Sequence, residues 1–269
     1  MCQGCAKGKH TRGPFPSSVT KTSDILQLIH SYLFGMFPVT SLGGCLYYIT
    51  FINDFSRKTW IYFLKNKDEA FKWFRTFKDL VENQSGKKIK ILRTDNGIEY
   101  ESNEFDDYCR EVGIKRETTM EYIPEQNGVA ERKNRTILEA AHAMLLDQGL
   151  PLFLWGEVAN IIVYVQNRCP HQALDSKTLE EVFTGKKPDV SHLRIFGSPV
   201  YFHVPKEKRS KLDVSGNKGT FVGYSETLKA YRIYVPGQRE VEICHDINFD
   251  EYVSLTMGRI CQHRCVCSK

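Results

Sequence analysis

The feature that most constrains the fold is the order of the predicted strands and helices. Three segments rich in aromatic and β-branched residues come first, and their short connections favour an antiparallel meander. Helices and strands then alternate, which favours an α/β core around a mixed sheet. The predicted segments are strands at 26–31, 45–52 and 59–64, a helix at 66–83, a strand at 88–92, a helix at 103–112, a strand at 114–118, and helices at 128–147 and 151–167.

The helix at 66–83 has the clearest pattern, because Phe71, Phe74 and Phe77 recur at helical spacing and Gly86 follows as a stop. Asn103 is the predicted N-cap of the next helix. Short β-rich runs return near the end of the chain and are separated by glycine and charged turns, which predicts a small β-barrel. These runs cover residues 200–204, 219–224, 231–235 and 240–244.

Charge and apolar content limit the partners. Lysine and arginine number 37 against 32 acidic residues, a net charge of +5, which permits a nucleic-acid partner without requiring one. No apolar run reaches the ~18 residues of a membrane span, so we expect no membrane partner. The start of the chain lacks the apolar region of a secretory signal, so we expect a nuclear or cytoplasmic protein that is not secreted.

Two acidic residues stand where chemistry is expected. Asp95 follows an apolar strand in RTDNGIEY (93–100), and Glu131 lies in the first turns of the long predicted helix. Metal-dependent phosphoryl transfer needs carboxylates that converge from rigid elements on two divalent ions. Mg²⁺ and Mn²⁺ favour such oxygen ligands. The alternative is that Asp95 begins a turn and Glu131 is a solvated helix charge.

Three motifs resemble the integrase region of copia-type LTR retrotransposon Pol polyproteins, and the resemblance extends over about residues 1–251. They are FINDFSRKTW (51–60), RTDNGIEY (93–100) and QNGVAERKNRTIL (126–138). The resemblance implies an RNase H-like catalytic core followed by an SH3-like domain. It also implies strand transfer into DNA with Mg²⁺ or Mn²⁺ in a two-metal site. Asp95 and Glu131 would be catalytic metal ligands, element ends and target DNA would be partners, and the protein would form multimers.

On this basis we expect five parts in the chain. Residues 1–20 would be the remnant of a zinc-binding module with a linker, and 21–175 the RNase H-like core. Residues 176–193 would be a linker, 194–251 the SH3-like domain and 252–269 an unstructured tail.

The chain departs from the family at the first catalytic carboxylate. The family has an aspartate in a His-Ser-Asp-Leu context, whereas this chain reads HSYLFG (30–35) and has Tyr32 in that position. A phenol is neutral at pH 7 and is a poor ligand for a hard cation. Strand transfer is therefore expected to be impaired or absent. Asp54 could replace the missing carboxylate only if the site rearranged.

Basic residues near the acidic motifs are candidate DNA contacts. Lys88 and Lys90 precede Asp95, and Arg132, Lys133 and Arg135 follow Glu131. Arg135 lies one helical turn after Glu131 and should share its face. Lysine and arginine contacts to phosphates give salt-dependent, sequence-tolerant binding. The alternative is a solvated basic surface.

Cys2 and Cys5 resemble the second half of the His-His-Cys-Cys zinc module that precedes the core in this family. A structural zinc site needs four ligands, and the paired histidines are expected upstream. We therefore expect a partial site that binds Zn²⁺ only if the upstream half is present.

Two alternatives to an active integrase remain at this point. One is a catalytically dead module that binds nucleic acid or protein and derives from a retrotransposon. The other is an RNase H-type nuclease, which the fold would allow.

Overall fold

The computed structural model of the chain describes residues 22–118, 128–203, 216–225 and 228–250. A mixed five-stranded sheet has the order β3-β2-β1-β4-β5, in which β1, β2 and β3 are antiparallel and β1, β4 and β5 are parallel. The predicted meander and α/β core are confirmed. The strands are β1 (Leu28–Gly35), β2 (Tyr47–Asn53), β3 (Thr59–Leu64), β4 (Ile91–Thr94) and β5 (Lys115–Thr118).

Five α-helices flank this sheet or follow it within the described residues. They are α1 (Ala70–Ser85), α2 (Asn103–Glu111), α3 (Gly128–Asp147), α4 (Trp155–Arg168) and α5 (Leu179–Thr184). Helices α1 and α2 cover one face, where Phe77 stacks on Phe51 with ring centroids 4.4 Å apart. Helices α3 and α4 cover the other face, where Tyr48 packs beside Trp155. Because both faces are covered, β2 reads as a nearly continuous apolar run.

Two local predictions are corrected. The fourth strand begins at Ile91 rather than at residue 88, because the Glu82 carboxylate accepts hydrogen bonds from the backbone N–H of Ile89 and from Lys88. These bonds hold the connecting residues outside the sheet. The N-cap of α2 is Ser102 rather than Asn103, since the Ser102 hydroxyl accepts from the backbone N–H of Phe105.

A second, antiparallel five-stranded sheet has the order β10-β6-β7-β8-β9. This arrangement is consistent with the predicted SH3-like domain. Helix α5 and strand β10 were not predicted, because both are too short to show a clear period. The strands are β6 (Pro199–His203), β7 (Gly216–Tyr224), β8 (Tyr231–Val235), β9 (Glu240–Cys244) and β10 (Ile247–Phe249).

The second sheet packs directly on α4. Arg232 of β8 donates two hydrogen bonds of 2.7 and 2.6 Å to the Glu157 carboxylate, and Tyr164 stacks on Tyr224. One apolar cluster therefore runs from α3 and α4 into the second sheet. Within the described ranges, no helix is both long and apolar enough to cross a membrane.

Candidate functional site

The register of β1 against β4 brings Tyr32 level with Asp95. In this parallel pair His30 lies opposite Arg93, so two further residues along each strand reach Tyr32 and Asp95. Asp95 is the first residue after β4. Adjacent strands are about 4.8 Å apart, so the side chains at these two positions are neighbours.

Helix α3 brings Glu131 to the same place. Asn134, one turn after Glu131, is buried, and its side-chain oxygen lies 3.4 Å from the Thr50 hydroxyl. Thr50 is the partner of Tyr32 in the β1–β2 register, and its hydroxyl is also 3.4 Å from the Tyr32 carbonyl oxygen. The start of α3 is thus anchored against the strand that carries Tyr32.

Electrostatics show that carboxylates surround Tyr32. Its pKa is raised by burial and by the nearby negative charges of Asp95, Glu131 and Glu99. The phenol therefore stays neutral at pH 7, and it lies near all three of these carboxylates.

Asp95 has one carboxylate oxygen that could bind a cation. Its Oδ1 atom is buried and has no hydrogen-bond partner among the residues that the structure describes. Burial and the neighbouring Glu99 carboxylate raise the pKa of Asp95 to about 6. An unpaired buried carboxylate oxygen is costly, and a cation would remove that cost.

Glu99 is a member of the site that the sequence did not reveal as one. Its side chain is only 6% exposed and lies 3.8 Å from the Lys67 ammonium. The Glu99 carboxylate folds back over Gly97, where any side chain would overlap it. Its spacing from Asp95 in the RTDNGIEY motif was the available signal, but spacing alone does not show the direction of the side chain.

The donors fit a divalent cation only in part. Asp95 and Glu131 offer oxygen ligands, which suit Mg²⁺ or Mn²⁺. However, no group of three or more Asp, Glu, His or Cys side chains in the described part of the chain could hold a metal ion. Tyr32 stands where a third carboxylate could complete the set.

The Asp54 carboxylate is hydrogen-bonded to residues outside the site of Asp95. Its carboxylate accepts hydrogen bonds from His30 at 2.9 Å, Arg57 at 3.0 Å and Thr22 at 2.8 Å. Burial alone would raise the pKa of Asp54, but the His30 hydrogen bond and the Arg57 charge hold it well below its usual range. Asp54 therefore ties β1 to the β2–β3 turn and is not available to the site of Asp95.

The candidate DNA contacts do not form one surface. Arg135 is exposed and lies one helical turn from Glu131, as expected from the spacing. Lys88 and Lys90 lie before β4, and the five residues from Lys90 to Asp95 span about 16 Å of extended chain. Lys88 lies two residues farther from Asp95 and pairs with Glu82 at 2.7 Å.

Arg132 and Lys133 point to another side of α3, where they line a pocket. Cys2 and Cys5 lie outside the described residues, so the zinc prediction stays a prediction.

Comparison with known proteins gives consistent results. Residues 32–124 match the integrase core domain family, and residues 198–257 match the retroviral polymerase SH3-like domain family. The chain is 42% identical over 250 residues to the retrovirus-related Pol polyprotein from transposon TNT 1-94 of Nicotiana tabacum. It is 33% identical over 251 residues to that from transposon RE2 of Arabidopsis thaliana.

Each alignment covers 93% of this chain but only 19% and 17% of the two polyproteins, so the chain spans less than a fifth of their length. Among solved structures, the simian T-cell lymphotropic virus intasome in complex with PP2A regulatory subunit B56 gamma is similar, with a TM-score of 0.56 and 16% identity. That alignment covers 90% of this chain and 84% of the other, and the likeness is one of fold.

Proposed function

We propose a function from family membership: the chain belongs to the integrase region of copia-type retrotransposon Pol polyproteins, with an integrase core domain followed by a retroviral SH3-like domain. The proposed ancestral activity is metal-dependent strand transfer that joins element ends to target DNA. In this chain we propose that the activity is impaired, because Tyr32 replaces the first catalytic aspartate.

The observation that carries this proposal is the position of Tyr32. It is level with Asp95 in the register of β1 against β4. The charges of Asp95, Glu131 and Glu99 lie close enough to its phenol to raise the pKa of Tyr32. A neutral phenol adds bulk and supplies no anionic oxygen to a cation. Mg²⁺ or Mn²⁺, when bound, would activate the attacking oxygen and stabilise the leaving oxygen.

The chain's own residues have separable roles in this proposal. Asp95 and Glu131 would hold the metal, and the orphaned Oδ1 of Asp95 is the oxygen that most needs a cation. Arg135 would contact a DNA phosphate beside them. DNA that extends beyond this site would contact the four remaining basic residues, Lys88, Lys90, Arg132 and Lys133. We propose nuclear or cytoplasmic action as a multimer.

A second candidate function is a catalytically dead module that binds nucleic acid or protein. The same observation favours it, since Tyr32 interrupts the metal site and leaves both sheets and the basic side chains unchanged. Binding of DNA without metal-dependent joining would be its signature.

The test is Mn²⁺-dependent strand joining by the purified chain and its Tyr32→Asp variant, on an oligonucleotide that ends in the element's own terminus. We expect the parent to be silent and Tyr32→Asp to join strands. Tyr32→Asp combined with Asp95→Asn should be silent again, as the control for contaminating nuclease.

Joining by the parent would contradict the impairment. Silence from both the parent and Tyr32→Asp, with DNA binding retained, would favour the binding module.

A further inference from the structure

A pocket of about 490 Å³ lies on the side of α3 that faces away from the carboxylates. Val129, Arg132, Lys133 and Thr136 form its helical wall, at the spacing of a single helix face. With about 3.6 residues per turn, Lys133 points nearly opposite to Glu131. The pocket is thus separate from the site described above. Its other wall comes from the end of α4 and the residues that follow it.

The pocket is cationic. Arg57, Arg132 and Lys133 line it, and no aspartate or glutamate of the described ranges does. Arg57 is oriented by its hydrogen bond to Asp54, so its position does not depend on a ligand. Asp54 offsets the charge of Arg57, whereas no described carboxylate pairs with Arg132 or Lys133. The positive charge of these two side chains favours an anionic occupant.

Two polar groups at the pocket have unmet partners. Lys133 is half-buried, and its ammonium has neither an ion pair nor a hydrogen bond within the described part of the chain. The Oε1 atom of Gln166 is buried and has no donor there. A half-buried ammonium and a buried amide oxygen both carry a desolvation cost that partners would offset. The pocket therefore offers the Lys133 ammonium to an anion and the Gln166 Oε1 atom to a hydrogen-bond donor.

Apolar side chains complete the walls. Ile52 from β2, Val129 from α3 and Leu179 from α5 face the same space. The volume lies in the range of small-molecule sites, about 300–1,000 Å³. An occupant with an anionic end, a hydrogen-bond donor and a flat apolar body would use every wall.

We propose that this pocket binds a nucleotide through its phosphate. The phosphate accepts hydrogen bonds from Lys133 and Arg132, the base or sugar packs on Ile52 and Val129, and a base N–H group donates to Gln166 Oε1. Several cations suit a phosphate monoester, which carries nearly two negative charges at pH 7, better than they suit a single carboxylate. Two sources share this chemistry, namely the 5′ end of a DNA strand and a free mononucleotide, and the experiment distinguishes them. The proposal does not depend on strand-transfer activity.

Cys169 provides a local reporter, because it is exposed and lines the pocket. The rate at which N-ethylmaleimide labels Cys169 in the full chain is measured by mass spectrometry of its peptide, at fixed salt. Probes are deoxyadenosine monophosphate, deoxyadenosine, and a short single-stranded oligonucleotide with or without a 5′ phosphate. At about ten times the dissociation constant, a phosphate-bearing probe should slow labelling about tenfold.

Substitutions separate binding from folding. Lys133→Gln should raise the Kd for the phosphate-bearing probe, measured from the protection of Cys169, about tenfold, since it removes a charge-assisted hydrogen bond. Gln166→Glu adds a carboxylate to the pocket that Arg132 and Lys133 line, so it should abolish protection while raising the thermal midpoint. A loss accompanied by higher stability is not unfolding. Lys65→Gln, an exposed lysine outside the pocket, is the control for net charge and should leave protection unchanged.

The outcomes are distinct. Protection by deoxyadenosine monophosphate supports a free nucleotide as occupant, and protection by the phosphorylated oligonucleotide alone supports a strand end. Equal protection with and without the phosphate would overturn the proposal. So would equal losses in Lys133→Gln and Lys65→Gln, or protection by an acidic peptide but by no nucleotide.

Discussion

Replacing Tyr32 by aspartate should make the stability of this chain depend on divalent metal. The variant introduces a carboxylate level with Asp95 and close to Glu131 and Glu99. Without metal the new charge adds repulsion to a site where the pKa of Asp95 is already raised to about 6. With metal, the same charge completes an oxygen ligand set. The sign of the stability change should therefore reverse between EDTA and Mn²⁺.

The size of both effects can be worked out from the register. Two carboxylates about 5 Å apart repel by about 3 kcal/mol at an effective dielectric constant near 20, and partial exposure reduces this to ~1–2 kcal/mol. In a domain of this size, ~1 kcal/mol moves the Tm by about 2–4 °C. Metal at about 100 times its Kd adds about 2.7 kcal/mol, which corresponds to ~5–10 °C.

The assay is thermal unfolding in EDTA and in millimolar Mn²⁺, with Tyr32→Asn as the matched control. Tyr32→Asn also removes the ring but adds no charge, so the comparison of Asp with Asn isolates the carboxylate. We expect Tyr32→Asp to have a lower Tm than Tyr32→Asn in EDTA and a higher Tm in Mn²⁺. An equal Mn²⁺ shift in the parent, or no shift in Tyr32→Asp, would refute the reasoning.

Three further predictions concern the fold. Asp54→Asn should lower the free energy of unfolding by ~2–3 kcal/mol at pH 7, because it removes the negative charge of the carboxylate that accepts hydrogen bonds from His30 and Arg57. Since the pKa of Asp54 is lowered by folding, its contribution exists above pH ~4 and is lost on acidification, so denaturant titrations of parent and variant should converge at lower pH. Gly219→Ala should cost ~1–3 kcal/mol in chemical denaturation, because the new methyl group would lie 2.9 Å from a backbone carbonyl oxygen of β8. Glu157→Gln should cost ~1–2 kcal/mol by the same measurement, since it removes one charge of the bidentate pair with Arg232. An unchanged denaturation midpoint in any of these variants would contradict the corresponding contact.

Prediction from sequence succeeded where a local pattern specifies structure. Strands β3, β8 and β9 occur at the predicted residues, because β-rich runs bounded by turns are local signals. The phenylalanine period predicted α1, although the helix begins at Ala70 rather than at residue 66 because a 3-10 turn at Lys67–Glu69 precedes it. Gly86 ends the helix with a positive φ of 68°. The fourth strand begins three residues later than predicted, because Glu82 in the last turn of α1 forms side-chain hydrogen bonds with Lys88 and Ile89 that the strand pattern does not reveal.

The sequence by itself predicted the resemblance to the integrase region of copia-type Pol polyproteins, and it singled out Asp95, Glu131 and the tyrosine at position 32 as the residues that would bear on that chemistry. Motifs and their spacing are enough for that. Only the tertiary structure decided what these residues meet. Strand register set Tyr32 beside Asp95, and burial drew Glu99 into the site. Successive residues of a helix are rotated by about 100°. Arg135 therefore lies on the side of α3 that carries Glu131, whereas Arg132 and Lys133 line the pocket on another side.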